Sequence, residues 1–76
     1  MKNGNIPTYD IYLAAYLALN GISPQYVKHD TRVVFEFPMD SQTCDLMEAY
    51  NRNPHIELLP YVAALRRTRA QMLAQR

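Results

Sequence analysis

The side chains that could perform chemistry are few and widely separated in this 76-residue sequence. Asp45 and Glu48 lie three positions apart, a spacing that places two carboxylates on one side of a helix. General acid and base chemistry needs such a pair together with an orienting partner, and no histidine lies near them in the sequence. We interpret the two carboxylates as part of an exposed, solvated helix face.

The cysteine and the histidines give no further chemical pattern. Cys44 is the only cysteine, and it falls in the first turn of a predicted helix, where we expect a small buried hydrophobe. His29 and His55 are isolated, and no CxxC or HxxxH spacing that would bind a metal occurs. Only two glycines are present, which excludes a glycine-rich phosphate loop. We therefore expect no catalytic residue, no metal and no cofactor, and predict that the protein is not an enzyme.

The charges divide the chain unevenly. Residues 1–57 carry four cations and seven acids, whereas residues 58–76 carry four arginines and no acid. Arg66, Arg67 and Arg69 form a cluster within this basic end.

Three interpretations of this cluster stay open. The cations can complement the dipole at the end of a helix. They can contact the acidic side of the preceding helix, formed by Asp40, Asp45 and Glu48, within the chain or across a dimer. They can also contact the phosphates of a nucleic acid, although the sequence pI of 7.9 lies below the pI above 9 that is typical of such domains.

The elements that position these residues begin with a strongly apolar helix, "YDIYLAAYLALNG" at 9–21. Thr8 is its predicted N-cap and Gly21 its predicted C-terminal stop. Its apolar run, 11–19, is far shorter than the roughly 20 residues that span a bilayer, and a cleaved signal peptide would need a more basic start. A helix that is apolar on nearly all sides is normally buried, so we expect it at the centre of the fold.

A β-hairpin follows, in which "PQYVK" and "RVVFEF" flank a turn at 29–32. The register pairs Lys28 with Val33, Val27 with Val34 and Tyr26 with Phe35. One face of this hairpin carries Tyr26, Val33, Phe35 and Phe37 and is predicted to pack against helices. The opposite face carries Gln25, Val27, Val34 and Glu36 and is mixed in character.

The remaining pattern predicts a helix at 42–52 capped by Asp40 or Ser41, a brief third strand at 55–58, and a last helix that starts at Pro60. The predicted order is αββαβα. This describes one α+β domain over residues 1–76, with an antiparallel hairpin packed against helices and with flexible ends at 1–7 and 74–76.

The succession of "YDIYLAAYLALNG", "RVVFEF", "DLMEAYN" and "PYVAALRRTRAQM" resembles a family of small, uncharacterised bacterial domains of unknown function. Its members open with an Asp-Leu-Tyr-Leu-Ala-Ala-type helix, and Leu59 departs from the polar cap that members often have before the proline. The matching positions are Asp10, Tyr12, Leu13, Ala14, Ala15, Gly21, Val34, Phe35, Phe37, Tyr50, Pro60, Tyr61, Ala64, Leu65 and Arg66. The resemblance implies a shared fold and a bacterial or phage origin, and it implies no activity.

From these observations we expect a cytoplasmic, non-enzymatic interaction module that acts as a homodimer and does not enter the membrane. A chain this short with one cysteine has little core and no disulfide, so self-association is a ready source of stability. The candidate interface consists of Tyr12, Tyr16, Val27 and Val34. The alternative is a small DNA- or RNA-binding accessory protein that uses Arg66, Arg67 and Arg69.

Overall fold

The computed structural model describes residues 4–75 as a small sheet covered by helices. The elements in chain order are β1 (Asn5–Thr8), α1 (Ile11–Leu19), β2 (Gln25–His29), β3 (Arg32–Pro38), α2 (Ser41–Asn51) and α3 (Leu58–Ala74). The predicted α+β class, with helices packed against an antiparallel sheet, is confirmed. The observed order is βαββαα and not the predicted αββαβα.

The predicted hairpin is present with the predicted register. β2 and β3 pair antiparallel, with Val27 opposite Val34 and Tyr26 opposite Phe35. Asp30 and Thr31 form a two-residue turn in which Asp30 takes a φ of 60°. An aspartate tolerates this left-handed conformation, which such turns require.

The third strand lies at the start of the chain and not at 55–58, where we predicted it. Residues 55–57 form neither helix nor strand, and Leu58 already begins α3. β1 instead pairs antiparallel with β3, so the strand order is β1-β3-β2. Residues 5–7, predicted as part of a flexible end, belong to this strand, and Ala74 ends α3; residues 1–3 and 76 lie outside the described residues.

Helix α1 begins and ends through local hydrogen bonds. Asp10 is the N-cap and accepts from the backbone N–H of Tyr12 at 2.9 Å, so the predicted cap at Thr8 is wrong. The Thr8 hydroxyl accepts from the backbone N–H of Asp10 one step earlier, at 3.0 Å. Gly21 takes a φ of 90°, as expected of a residue just past a helix end. The backbone N–H of Ile22 then donates to the Leu17 carbonyl at 2.9 Å, which closes a Schellman motif.

The other two helices differ in how they start. Asp40, one of the two predicted caps, caps α2 and accepts from the backbone N–H of Thr43 at 2.8 Å. Helix α3 starts two residues before the predicted Pro60, and its N-cap, Glu57, makes no side-chain capping bond. Pro60 therefore lies in the first turn, where its missing N–H has no helical acceptor to lose.

The core lies between the helices and one face of the sheet. Its buried residues are Ala14, Leu17, Ile22, Phe35 and Phe37, and side chains from α2 and α3 pack against them. The predicted core face of β3 therefore does meet the helices. No helix among residues 4–75 is long and apolar enough to cross a bilayer.

Candidate interaction surfaces

The side chains that could take part in chemistry do not lie together in a reactive site. Cys44 is exposed and not buried as we expected, because the capped start of α2 turns Thr43 into the core in its place. Glu48 forms an ion pair with Arg52 at 3.5 Å, and both side chains are largely exposed. Among residues 4–75 there is no group of histidine, cysteine or carboxylate side chains that could hold a metal, and no pocket.

The two candidate tyrosines of α1 lie in different environments. Tyr16 is 8% exposed and packs against Tyr50 of α2, with ring centroids 5.6 Å apart. Tyr12 is 52% exposed, and its backbone carbonyl accepts a hydrogen bond from the Tyr61 hydroxyl of α3 at 2.9 Å. Tyr16 therefore holds helices together within the chain, whereas the Tyr12 ring is open to solvent.

Tyr12, Tyr16, Tyr50 and Tyr61 lie near one another on the three helices, and we call them the tyrosine cluster. Burial raises the pKa of Tyr50 and Tyr61, and the nearby carboxylate of Asp10 raises both further. Tyr50 and Tyr61 thus favour their neutral, protonated forms, which suits a packing role inside the helical layer.

Val27 and Val34 pair across the hairpin on the face of the sheet that is turned away from the core. Val34, on the central strand, is buried, but Val27 is 36% exposed. Other side chains on this face are mostly exposed, and some of them contact one another as neighbours on the sheet. One such neighbour pair is Arg32 and Tyr9, in which the guanidinium lies 4.0 Å from the ring centroid.

The outer edge of β2 carries backbone groups without partners. His29 and Arg32 flank the two-residue turn and so form a hydrogen-bonded pair. Along the two strands, non-hydrogen-bonded and hydrogen-bonded pairs then alternate. Val27 bonds to β3, while the N–H and C=O of Tyr26 and Lys28 point outward. Among residues 4–75, these outward groups make no hydrogen bond. β2 is therefore an open sheet edge of the kind that pairs with another strand.

A proline limits the ability of the outer edge of β1 to pair with another strand. The Met39 backbone N–H donates to the Gly4 carbonyl at 3.3 Å, which fixes the alternation along this pair of strands. By that alternation Pro7 directs its backbone outward, and proline has no N–H to offer. The two edges of the sheet thus differ, and β2 is the one able to accept a strand.

The three candidate arginines of α3 are all exposed. In the part of the chain that the structure describes, no carboxylate lies within 4.0 Å of Arg66, Arg67 or Arg69. The contact with the acidic side of the preceding helix, one of the three interpretations, is therefore not made within this chain. Their charges are available to a partner.

Arg66 belongs to an exposed stripe that runs along the outside of α3. Its members recur at alternating spacings of four and three residues, and all are exposed: Leu59, Ala63, Arg66, Ala70 and Leu73. We call these residues the α3 seam. Leu59 is 76% exposed and Leu73 is 50% exposed, although leucine is usually buried. We did not predict this seam, although the spacing of its residues is visible in the sequence.

These features define a small two-layer α+β domain with an open sheet edge and an exposed helix seam. The chain belongs to the family described as Domain of unknown function (DUF5659), whose profile matches residues 3–74. This match confirms the resemblance to a family of unknown function, while the bacterial origin stays a prediction. No curated protein and no solved structure matches the chain.

Proposed function

We propose that this protein is a non-enzymatic interaction module that acts as a homodimer, in which two copies join along the outer edge of β2. The observation that carries the proposal is the row of unpaired backbone groups at Tyr26 and Lys28. An exposed strand edge is a template for pairing with another strand, and Pro7 closes the alternative edge.

An antiparallel pairing centred on Val27 suits this edge. It sets Tyr26 opposite Lys28 of the second copy, and each such pair exchanges two backbone hydrogen bonds. No two like charges then face each other, because Lys28 meets a tyrosine. The two Val27 side chains lie beside each other on the open face, where each covers apolar surface that is exposed in the single chain.

The mass in solution tests the proposal. Light scattering coupled to size exclusion should give twice the 8.8 kDa of the chain at micromolar concentration. Salt should change this mass little, because backbone hydrogen bonds and apolar contacts are less sensitive to screening than exposed charges are. A monomer mass at that concentration would contradict the proposed function.

Lys28→Pro should convert the dimer into a monomer, because proline removes the outward N–H and places a ring at the edge. The hairpin should survive, since Lys28 faces Val33 in a pair that makes no hydrogen bonds within the hairpin. Lys28→Ala removes the same side chain but keeps the N–H, and it should remain dimeric. Far-UV circular dichroism checks that both variants are folded.

A second function is favoured by the three exposed arginines without carboxylate neighbours. In that case the protein is a nucleic-acid-binding accessory protein that contacts phosphates through α3. Its affinity for DNA or RNA should fall steeply as salt rises, and the joint replacement of Arg66, Arg67 and Arg69 by alanine should abolish binding.

A further inference from the structure

We infer that the α3 seam docks an amphipathic helix of another protein, one whose facing side is apolar at both ends and carries carboxylates in the middle. This inference concerns a surface other than the β2 edge and goes beyond the proposed dimer. It rests on the spacing of the seam, on its exposed leucines and on the distribution of charge along α3.

The spacing is that of a helix-pairing seam. Steps of four and three residues keep side chains on one line along a helix, as the a and d positions of a coiled coil do. From Leu59 to Leu73 the seam extends about 21 Å, which a partner helix of four turns can match. Ala63 and Ala70 are small, so they let a second helix approach closely between the two leucines.

The charges specify what the partner carries. Helix α3 contains no acidic residue from Leu58 to Ala74. Arg66 lies in the middle of the seam, and Arg67 and Arg69 occupy the e and g positions on its two sides. In paired helices these flanking positions select partners by opposite charge. Carboxylates are therefore required at the middle of the partner helix.

Two surfaces of this chain fail as occupants of the seam. A second copy of α3 would set arginines against arginines, which is a repulsive arrangement. Helix α2 carries Asp45 and Glu48 on its outer side, but its other outward residues there, Ser41 and Arg52, offer the leucines no apolar contact.

Nucleic acid fits the seam less well than a helix does. Phosphates would satisfy Arg66, Arg67 and Arg69, but they would leave Leu59 and Leu73 in water. Only an amphipathic partner covers the leucines and neutralises the arginines at once.

A synthetic peptide pair tests this inference on the full chain. The first peptide is a four-turn, fluorescein-labelled helix with leucines at both ends of its facing side and glutamates in the middle. The matched peptide has lysines in place of the glutamates. Fluorescence anisotropy should show that the glutamate peptide binds at least about tenfold more tightly than the lysine peptide.

Variants of the chain test whether the peptide binds at the α3 seam. Replacing Arg66, Arg67 and Arg69 together by glutamate should reverse the preference, so that the lysine peptide binds more tightly. Leu59→Ser combined with Leu73→Ser should weaken binding of the glutamate peptide by about tenfold or more. Met39→Ser, which alters an exposed methionine outside α3, is the matched control and should have no effect.

Three outcomes would overturn the inference. One is no binding of the glutamate peptide at millimolar concentration, and another is equal binding of both peptides. The third is tighter binding of duplex DNA than of either peptide, unaffected by the leucine variants, which would assign α3 to nucleic acid.

Discussion

At the scale of single residues, Gly21 ends α1 through its backbone conformation. Its φ of 90° lies in the left-handed region, where an added Cβ is strained and a β-branched residue most of all. Space is not the obstacle, because a Cβ built on Gly21 would have no atom within 4 Å. Gly21→Val should therefore lower the free energy of unfolding by at least about 1 kcal/mol through backbone strain alone.

Urea denaturation measures this loss, and Gly4→Ala provides the control. A Cβ on Gly4 would also meet nothing within 4 Å, and Gly4 has no positive φ. Its replacement should leave the unfolding midpoint nearly unchanged. Equal effects of the two substitutions would mean that the conformation of Gly21 does not limit stability.

Cys44 shows where sequence reasoning fails at this scale. Cys44 was predicted to be a small buried hydrophobe, but the structure buries Thr43 completely and leaves the cysteine exposed. The phase of a short helix depends on its cap and on its neighbours, which pattern alone does not supply. The Asp40 cap was predictable, but the one-residue difference in phase was not.

At the scale of elements, the hairpin was predictable and β1 was not. The hairpin register follows from β-branched and aromatic residues on both sides of a short turn. β1 has Ile6 as its one apolar aliphatic residue, and it contains Pro7, which disfavours a strand. Its pairing comes from the edge that β3 presents, which is a tertiary effect. Residues 55–57 form neither helix nor strand, and Leu58 joins α3.

The candidate interface was also only partly predictable. The sequence identified Tyr12 and Val27, which are exposed, but Tyr16 and Val34 are buried by contacts within the chain. Which apolar residues remain uncovered depends on the packing of all the elements together. The open β2 edge likewise becomes visible only when the strand order is known.

The tyrosine cluster links the three helices and makes the stability of the fold depend on pH in the alkaline range. The pKa values of Tyr50 and Tyr61 are raised, above all by burial, so the folded state favours their protonated forms. This contribution to stability is fully present below the unfolded-state pKa near 10 and is lost as the pH rises through the raised values. The melting temperature should therefore fall as the pH is raised beyond about 10.

Thermal melts across the alkaline range measure this dependence. Tyr61→Phe should make the fall shallower, because one ionisable group leaves the cluster, although the hydrogen bond to the Tyr12 carbonyl is also lost. Tyr9→Phe removes one tyrosine hydroxyl outside the cluster and is the matched control for the substitution itself. If Tyr61→Phe leaves the fall in melting temperature at high pH unchanged, the tyrosine cluster does not cause that fall.

At the scale of the whole molecule, the packing of α1 gives no reason to expect a partner. We expected Tyr12 and Tyr16 of this helix to belong to the dimer interface. The structure instead buries Ala14, Ala15, Tyr16 and Leu17 within the chain, against the other helices and the sheet. Uncovered groups remain at the β2 edge and along α3, and the side chains of Tyr9, Tyr12 and Met39 are exposed as well. The case for dimerisation therefore rests on backbone hydrogen-bonding capacity at a strand edge.

Dimerisation through β2 should make the stability of the protein depend on its concentration. When two folded chains separate and unfold together, mass action favours the dimer as the concentration rises. For a chain of this size, each tenfold increase in concentration should raise the melting temperature by about 3–6 °C. Calorimetry or circular dichroism over two decades of concentration measures this shift.

Lys28→Pro should abolish the concentration dependence, and Lys28→Ala should preserve it, because only proline removes the outward N–H of the strand. At low concentration the melting temperatures of the proline variant and the original chain should converge, since both are then monomers. A concentration dependence that persists in Lys28→Pro would place the dimer contact elsewhere. If the melting temperature of the original chain does not depend on concentration, this result would contradict the proposed dimer.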